Sequence, residues 1–447
     1  MVVSLKDIFS YLKRDAAAGT ITGFVAIPLS VGICLMSEYP IQTGLLTVVF
    51  ACIVGFTTSL FKPGNFVGVP GIAAGLAPAL ALGVHTFGHE NMPFLIFLTS
   101  VIQIVVWKFR WEGYILKTVP HYLVEGLLAG IGLKIALKFV PYMYAVEHES
   151  LGNWFNPERL FVLALSSISF VCFVFLYQKF KSSKPGIPYF LVIGFGIVIS
   201  FYYDLPMLVV DHVPFKLVLP LPQPHEDPRL IHTIFLTFEM VGYALMLATI
   251  DVIEQVMSNV AIEKLDPLKR KCDSNNSLFS IWIANLGSSF FGGMTNLDGL
   301  AKGTTNAVAG AMTKLSNLFV ALVIAIVLIF PKLLTHLPEY SLGIVMIFTG
   351  WKMIEGLKHV IHEGVYAFSL AIVCGLLVFR FGIFEGLLIA LFIHALISIV
   401  RWKRDGVSNS KIWSHIKHRY SNPSDEVILQ AVNTEVVHDL TENRNQM

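Results

Sequence analysis

Charge is scarce along this chain. Only 14% of its 447 residues are Asp, Glu, Lys or Arg, against 55% hydrophobic, which leaves too few charged groups to clothe a soluble globular surface of this size. Cysteine is scarce too: Cys34, Cys52, Cys172, Cys272 and Cys374 are scattered, mostly in apolar runs. Without paired spacing they suggest neither a disulfide framework nor a zinc site. His85 and His89 stand four apart on one loop, but no further ligand clusters with them, so no metal is assigned. No G-x-x-x-x-G-K stretch is present to cradle phosphates, so nothing argues for ATP-driven work. No catalytic constellation or nucleic-acid partner is assigned either, and the chain is not read as an enzyme. The net charge of +2 is uninformative as a total. Residues 1–16, with Lys6, Lys13 and Arg14, form a polar lead-in, and the apolar run behind them has no small-residue cleavage site. It reads as a retained span, not a signal peptide.

What the chain has is apolar runs, most of them near the roughly 20 residues that about 30 Å of hydrocarbon demands. Fourteen are expected, at 17–36, 42–60, 71–84, 93–107, 120–140, 159–177, 187–204, 233–262, 276–291, 299–311, 315–331, 339–358, 364–380 and 383–401. The chain is therefore read as an all-α polytopic membrane protein. With a cytoplasmic N-terminus, the inner loops collect Lys62, Lys108, Arg110, Lys117, Lys179, Lys181, Lys184, Lys264, Lys269, Arg270, Lys271, Arg401, Lys403 and Arg404. The outer loops collect His85, His89, Glu90, Glu147, His148, Glu149, Asp204, Asp211, Glu226 and Asp227, with Lys332 and Arg380 as exceptions. This asymmetry follows the positive-inside rule and puts both termini in the cytoplasm, with the plasma (inner) membrane as the expected location. The polar, proline-containing stretch 203–230 divides two sets of seven segments, and an odd number gives inverted 7+7 repeats.

The third and tenth segments are too short to span. Each follows a glycine-rich stretch, Val67-Gly68-Val69-Pro70-Gly71-Ile72-Ala73-Ala74-Gly75 and Gly292-Gly293-Met294-Thr295-Asn296-Leu297-Asp298-Gly299-Leu300-Ala301-Lys302-Gly303. Matched interruptions in two halves are the sequence mark of discontinuous helices around a transporter's binding site. Half-helices starting at Gly71 or Ile72 and near Gly299 would turn unpaired amides and the positive ends of two dipoles, each about half an elementary charge, toward one cavity. Small residues, Ala73, Ala74, Gly299 and Ala301, would let a ligand approach the backbone. Lys302 adds a full positive charge, so the expected cargo is an anion. Close helix packing is the competing reading of the glycines.

Further signals resemble one family. Asp15-Ala-Ala-Ala-Gly19, then Ala26-Ile27-Pro28-Leu29 and Tyr39-Pro40-Ile-Gln-Thr-Gly44-Leu45, is similar to the first-span signature of the SulP family of sulfate permeases and related anion transporters. Asp273-Ser274-Asn275, Ala284-Asn285, Phe291-Gly292-Gly293, Lys302 and Asn306-Ala-Val-Ala-Gly310 resemble its ninth and tenth segments in order and spacing. The resemblance covers about residues 7 to 404. It implies a core domain, 17–107 and 233–331, that moves in elevator fashion against a gate domain, 120–204 and 339–404. It also implies secondary active transport, symport or exchange, of a small inorganic anion, with sulfate and bicarbonate leading. The tail 405–447 is too short for the STAS domain that most relatives carry, although 425–432 has the pattern of a strand or helix; a homodimer through the gate domain stays open.

Ionisable residues within a span need a reason. Asp251 and Glu254 lie three apart in the eighth segment, on one helix face. By the resemblance, Glu254 aligns better with the family's acidic position, and Ser258 one turn on matches a hydroxyl that holds the cation in sodium-coupled relatives. Glu254 would coordinate sodium, carry a proton, or neutralise Lys302 in a buried ion pair. Asp298 departs from the family, which usually has a small residue there; a carboxylate would repel an anion unless it is paired or binds a cation. Leu300 stands where sodium-coupled relatives offer a hydroxyl, which favours H+ over Na+ as the coupling ion, with Thr295, Thr304 and Thr305 nearby. Pro70-Gly71-Ile72 replaces the more usual Ser-Gly-Pro, displacing the half-helix start. Glu38 reads as a solvated loop acid, and His394 and Glu385 as packing groups of the gate domain. A nucleobase or organic carboxylate symporter of the same fold, or an anion channel, are the alternatives.

Overall fold

The structure, a computed structural model, describes residues 10–72, 74–145, 156–181, 186–210, 216–223 and 230–404. The site candidate Ala73, the lead-in 1–9, the tail 405–447 and the outer-loop residues Glu147, His148, Glu149, Asp211, Glu226 and Asp227 lie outside them.

The described chain is mostly helical. In order run α1 (Leu12–Ser37), α2 (Ile41–Ser59), β1 (Pro70–Ile72), α3 (Ala77–Phe87), α4 (Met92–Phe109), α5 (Glu112–Thr118), α6 (His121–Phe139), α7 (Pro157–Phe180) and α8 (Ile187–Ser200). Then come α9 (Leu230–Glu263), α10 (Ser274–Ser289), β2 (Asn296–Asp298), α11 (Leu300–Val308), α12 (Leu315–Ile329), α13 (Glu339–Glu355), α14 (Leu357–Val360), α15 (Val365–Phe381) and α16 (Ile383–Arg404). Among them α1, α2, His89–Phe109, α7 and Leu236–Glu263 are long and apolar enough to cross a membrane. On α7, Ile168, Val171 and Phe175 are exposed. A long apolar helix with so bare a face suits a hydrocarbon surrounding.

Packing divides the chain into two compact units, Met1–Ile104 with Lys134–Gly350, and Val105–Leu133 with Trp351–Met447. In the first, α1 lies along α12 through a glycine seam. A Cβ on Gly23 would stand 2.8 Å from Val323 Cβ, and one on Gly19 2.8 Å from Phe319 Cβ. The i, i+4 spacing puts both glycines on one face, where only a missing side chain allows so close an approach. In the second unit Gly126 and Gly130 meet the backbone of Ala371 and Gly375 in the same way. There His121 lies between Glu363, 3.2 Å away, and Glu125, 3.5 Å away, while His394 Nδ1 meets the hydroxyls of Tyr122 and Tyr366 at 2.8 and 3.1 Å.

Glu38 is exposed, as expected of a solvated loop acid, and two basic side chains approach it there. The chain reverses there through a left-handed φ of 59°, which swings its carboxylate to 3.0 Å from His85 Nε2 and 3.9 Å from Lys138 Nζ.

The two glycine-rich stretches meet in the first unit. β1 and β2 pair antiparallel, with Pro70 opposite Asp298, Gly71 opposite Leu297 and Ile72 opposite Asn296. This ladder is the only sheet among the described residues. It fixes where two short helices, α3 and α11, begin.

Candidate functional site

The third-segment half-helix does not begin at Gly71 or Ile72. Residues 70–72 are extended, because their backbone is committed to β2, and an α-helical turn there would break the ladder. The helix starts at Ala77, past Gly75, with Pro78 in its first turn, where a missing N–H costs nothing. The tenth-segment half-helix begins where expected: Gly299 is the N-cap residue and Leu300 the first helical one. Gly299 N–H donates to Val69 O at 3.2 Å, so the lead-in to α3 steadies the start of α11.

Lys302 lies in the first turn of α11 and is 3% exposed. Its Nζ has no hydrogen-bond partner among the described residues. It rests against Gly71, where a Cβ would collide with the ammonium, and a Cβ on Gly299 would come 2.8 Å from Lys302 Cε. Absence of two side chains therefore makes the room in which this lysine lies. A buried unpaired ammonium is expensive, and such groups in membrane proteins mark substrate or ion pathways.

Glu254 reaches the other half-helix. From α9 its carboxylate comes against Gly75, two residues before α3, and a Cβ on Gly75 would collide with Oε1. Among the described residues that oxygen has no hydrogen-bond partner, and no ion pair forms between Glu254 and Lys302. The neutralising pair weighed from sequence is therefore not made. Ser258 is buried one turn beyond Glu254. Asp251 is engaged elsewhere: its Oδ2 accepts from Gln103 and, at 3.2 Å, from Asn285. Asn285 Oδ1 in turn accepts from Asn296 N–H at 2.6 Å, so this network holds β2.

Asp298 is paired, which answers the difficulty it raised. Its Oδ1 lies 3.1 Å from Lys314 Nζ, and its Oδ2 accepts from Asn65 at 2.6 Å and Gln255 at 2.9 Å. Gln255 closes the loop by accepting from Asp298 N–H at 2.7 Å. Lys314 also donates to Gly68 O at 2.7 Å. Both charges are nearly inaccessible to solvent, and every carboxylate oxygen has a donor, the condition under which a buried ion pair is tolerated.

The structure therefore brings Gly71, Ile72, Asp298, Gly299 and Lys302 to one place, where β1 crosses β2, and sets Glu254 at the entrance of α3. Ile72 is buried, Ala74 half-buried, and Leu300 and Ala301 are exposed. Sequence reasoning missed Lys314, Gln255, Asn65 and Gln103. Their signal was a polar side chain beside or within an apolar run, the criterion applied only to carboxylates and Lys302. Several family-like motifs turn out to be fasteners. Asp15 accepts from Met312 N–H at 2.6 Å and Thr313 N–H at 3.1 Å; Asn306 donates to Val67 O at 2.9 Å; Asp273 caps α10 by accepting from Asn276 N–H at 2.9 Å.

Comparison with known proteins agrees with these motifs. Residues 12–374 match the sulfate permease family. A protein named "Putative sulfate transporter YvdB" from Bacillus subtilis is 25% identical over 354 residues, 77% of this chain and 65% of the relative, so the chain spans just under two thirds of that relative's length. Among solved structures, the murine Slc26a9 anion transporter in its inward-facing state superposes with a TM-score of 0.67 at 18% identity, covering 89% of this chain and 69% of that one. The transmembrane domain of a cyanobacterium bicarbonate transporter, BicA, gives 0.64 at 19% identity, covering 86% and 97%. At such identities the likeness shows the fold alone. With the family match covering most of the chain, these comparisons establish that it belongs to the sulfate permease family.

Proposed function

We propose that this chain is a secondary active carrier of a small inorganic anion, sulfate or bicarbonate, bound where β1 crosses β2. The observation that carries this is Lys302: a buried ammonium with no hydrogen-bond partner among the described residues, in the first turn of a short helix, walled by glycines on both sides. An anion placed there would supply the missing counter-charge and meet the positive end of α11. Relatives named as sulfate and bicarbonate transporters support the cargo class.

In this reading the chain crosses the plasma membrane fourteen times as inverted 7+7 repeats, with both termini cytoplasmic. Two facts favour the repeat: each half contributes one strand and one short helix, and the strands meet antiparallel. The core domain, 17–107 and 233–331, carries the site and moves in elevator fashion against the gate domain, 120–204 and 339–404, a division that differs from the packing units, which group 134–204 and 339–350 with the core. Glu254, with Ser258 beside it, is the group through which a proton or sodium ion is coupled. It is buried and unpaired at the entrance of the opposite half-helix, so its charge adds to the field at the site.

Purified protein in proteoliposomes should take up labelled sulfate or bicarbonate saturably and show counterflow, with pH and sodium varied independently. Conductance without counterflow would make it a channel. Uptake of a nucleobase or organic carboxylate, with none of either inorganic anion, would move it to another substrate class.

A further inference from the structure

Lys302 is the charge a sequence reader notices, yet the structure holds a second buried lysine a few residues on. We propose that Lys314 is a specificity-setting positioning residue. Acting through Asp298 and not by touching the anion, it cancels the carboxylate at the head of α11 and thereby sets which anion charge the site accepts. This rests on the reading of that site as an anion site.

Geometry carries the inference. Asp298 ends β2, one residue ahead of the N-cap Gly299 and four ahead of Lys302. Asp298 and Lys302 are both buried, so an uncompensated carboxylate there would oppose both Lys302 and the dipole of α11. Lys314 Nζ, 3.1 Å from Asp298 Oδ1, removes that field. It is held in place from the other half of the site by Gly68 O at 2.7 Å, in the stretch leading into β1. The amides of Asn65 and Gln255 take up the other carboxylate oxygen without adding charge. The cluster is thus neutral as a whole, and it is anchored at the paired strands because Asp298 is itself the ladder partner of Pro70.

A group that acts by its field has a signature that a brace lacks. Removing the positive member leaves a net negative charge, and removing the negative member leaves a net positive one, so the two changes move anion affinity in opposite directions. A unit charge about 10 Å away at an effective dielectric near 20 changes affinity on the order of tenfold for a monovalent anion, and by about the square of that for a divalent one. Loss of a brace would instead weaken binding in both variants, by the same factor for both anions.

The test measures KM and kcat for bicarbonate and for sulfate with wild type, Lys314→Gln, Asp298→Asn and the double variant in proteoliposomes, with the melting temperature of each preparation recorded. Lys314→Gln is expected to raise KM about tenfold for bicarbonate and about a hundredfold for sulfate. Asp298→Asn is expected to lower both, with the larger change again for sulfate. The double variant should return to within about threefold of wild type, because it is neutral and keeps hydrogen-bonding groups at both positions. If a single variant fails to fold, the double variant and the other single still decide by the direction and anion dependence of KM. Shifts in the same direction, or equal shifts for the two anions, would overturn the role of Lys314 while leaving the anion site standing. A wild type that takes up neither anion would overturn the anion site and this inference with it.

Discussion

The two broken segments differ in what they bring to their shared crossing. The third supplies backbone and space: β1, then two glycines, Gly71 and Gly75, whose missing side chains are occupied by Lys302 and by Glu254. Its half-helix starts five residues past Ile72, and the charge at its entrance is borrowed from α9. The tenth supplies charge: Lys302 inside the first turn of α11, and just before it Asp298, balanced by Lys314. Both stretches share a strand followed by a short helix, while their side chains differ. One half here has become a mould and the other its filling.

That contrast breaks most visibly at the two lysines. Lys302→Met should abolish uptake, by about a hundredfold or more, while leaving the melting temperature unchanged or raised, since it removes an unpaired buried charge. Lys314→Met should do the opposite to stability. It strands a buried Asp298, a change that costs about 3–5 kcal/mol in comparable pairs and is read as a lower melting temperature in detergent. A stable Lys314→Met and an unstable Lys302→Met would reverse the roles assigned to them.

Gly71→Ala and Gly75→Ala probe the mould. The methyl on Gly75 meets only the far end of the flexible Glu254 side chain, so folding should survive there. Gly71 holds a φ of 158° and its methyl would also stand 3.1 Å from Val48, so Gly71→Ala should lower the melting temperature as well. In both variants uptake falls roughly tenfold or more as Lys302 or Glu254 is pushed from its seat. Comparing kcat and KM for the two variants separates the halves. Gly71→Ala should act mainly on KM, and Gly75→Ala on coupling to the cation gradient. Glu254→Gln should keep downhill anion exchange but lose its response to a pH or sodium gradient; full retention of coupling would leave Glu254 without that role. The smallest effect is expected at Asp273→Ala, outside the site, where loss of the cap on α10 costs about 1 kcal/mol and leaves KM unchanged.

The mostly helical, apolar class of the molecule and the short helices behind the two glycine-rich stretches were legible from run lengths and glycines, and Lys302 from its charge in an apolar setting. What stayed hidden depends on pairing across the chain. Asp298 read as an obstacle because its partner stands 16 residues on, at the head of the next apolar run, where a lysine looks like a boundary marker. The start of α3 was placed early because Pro70 to Ile72 are held extended by a strand more than 220 residues away. Glu38 is solvated as read, but its neighbours His85 and Lys138 stayed hidden because they approach it only after α1, α3 and α6 have formed. Gln255, beside the conspicuous Glu254, passed unnoticed, although an uncharged amide in a span needs a partner as surely as a carboxylate does.

The most direct measurement is counterflow of labelled sulfate and bicarbonate in proteoliposomes, wild type beside Lys302→Met at equal melting temperature. Saturable counterflow in the wild type, absent from the variant, is the result expected if the unpaired lysine between the two half-helices is the anion's counter-charge. Counterflow of equal rate and KM in the variant would contradict it.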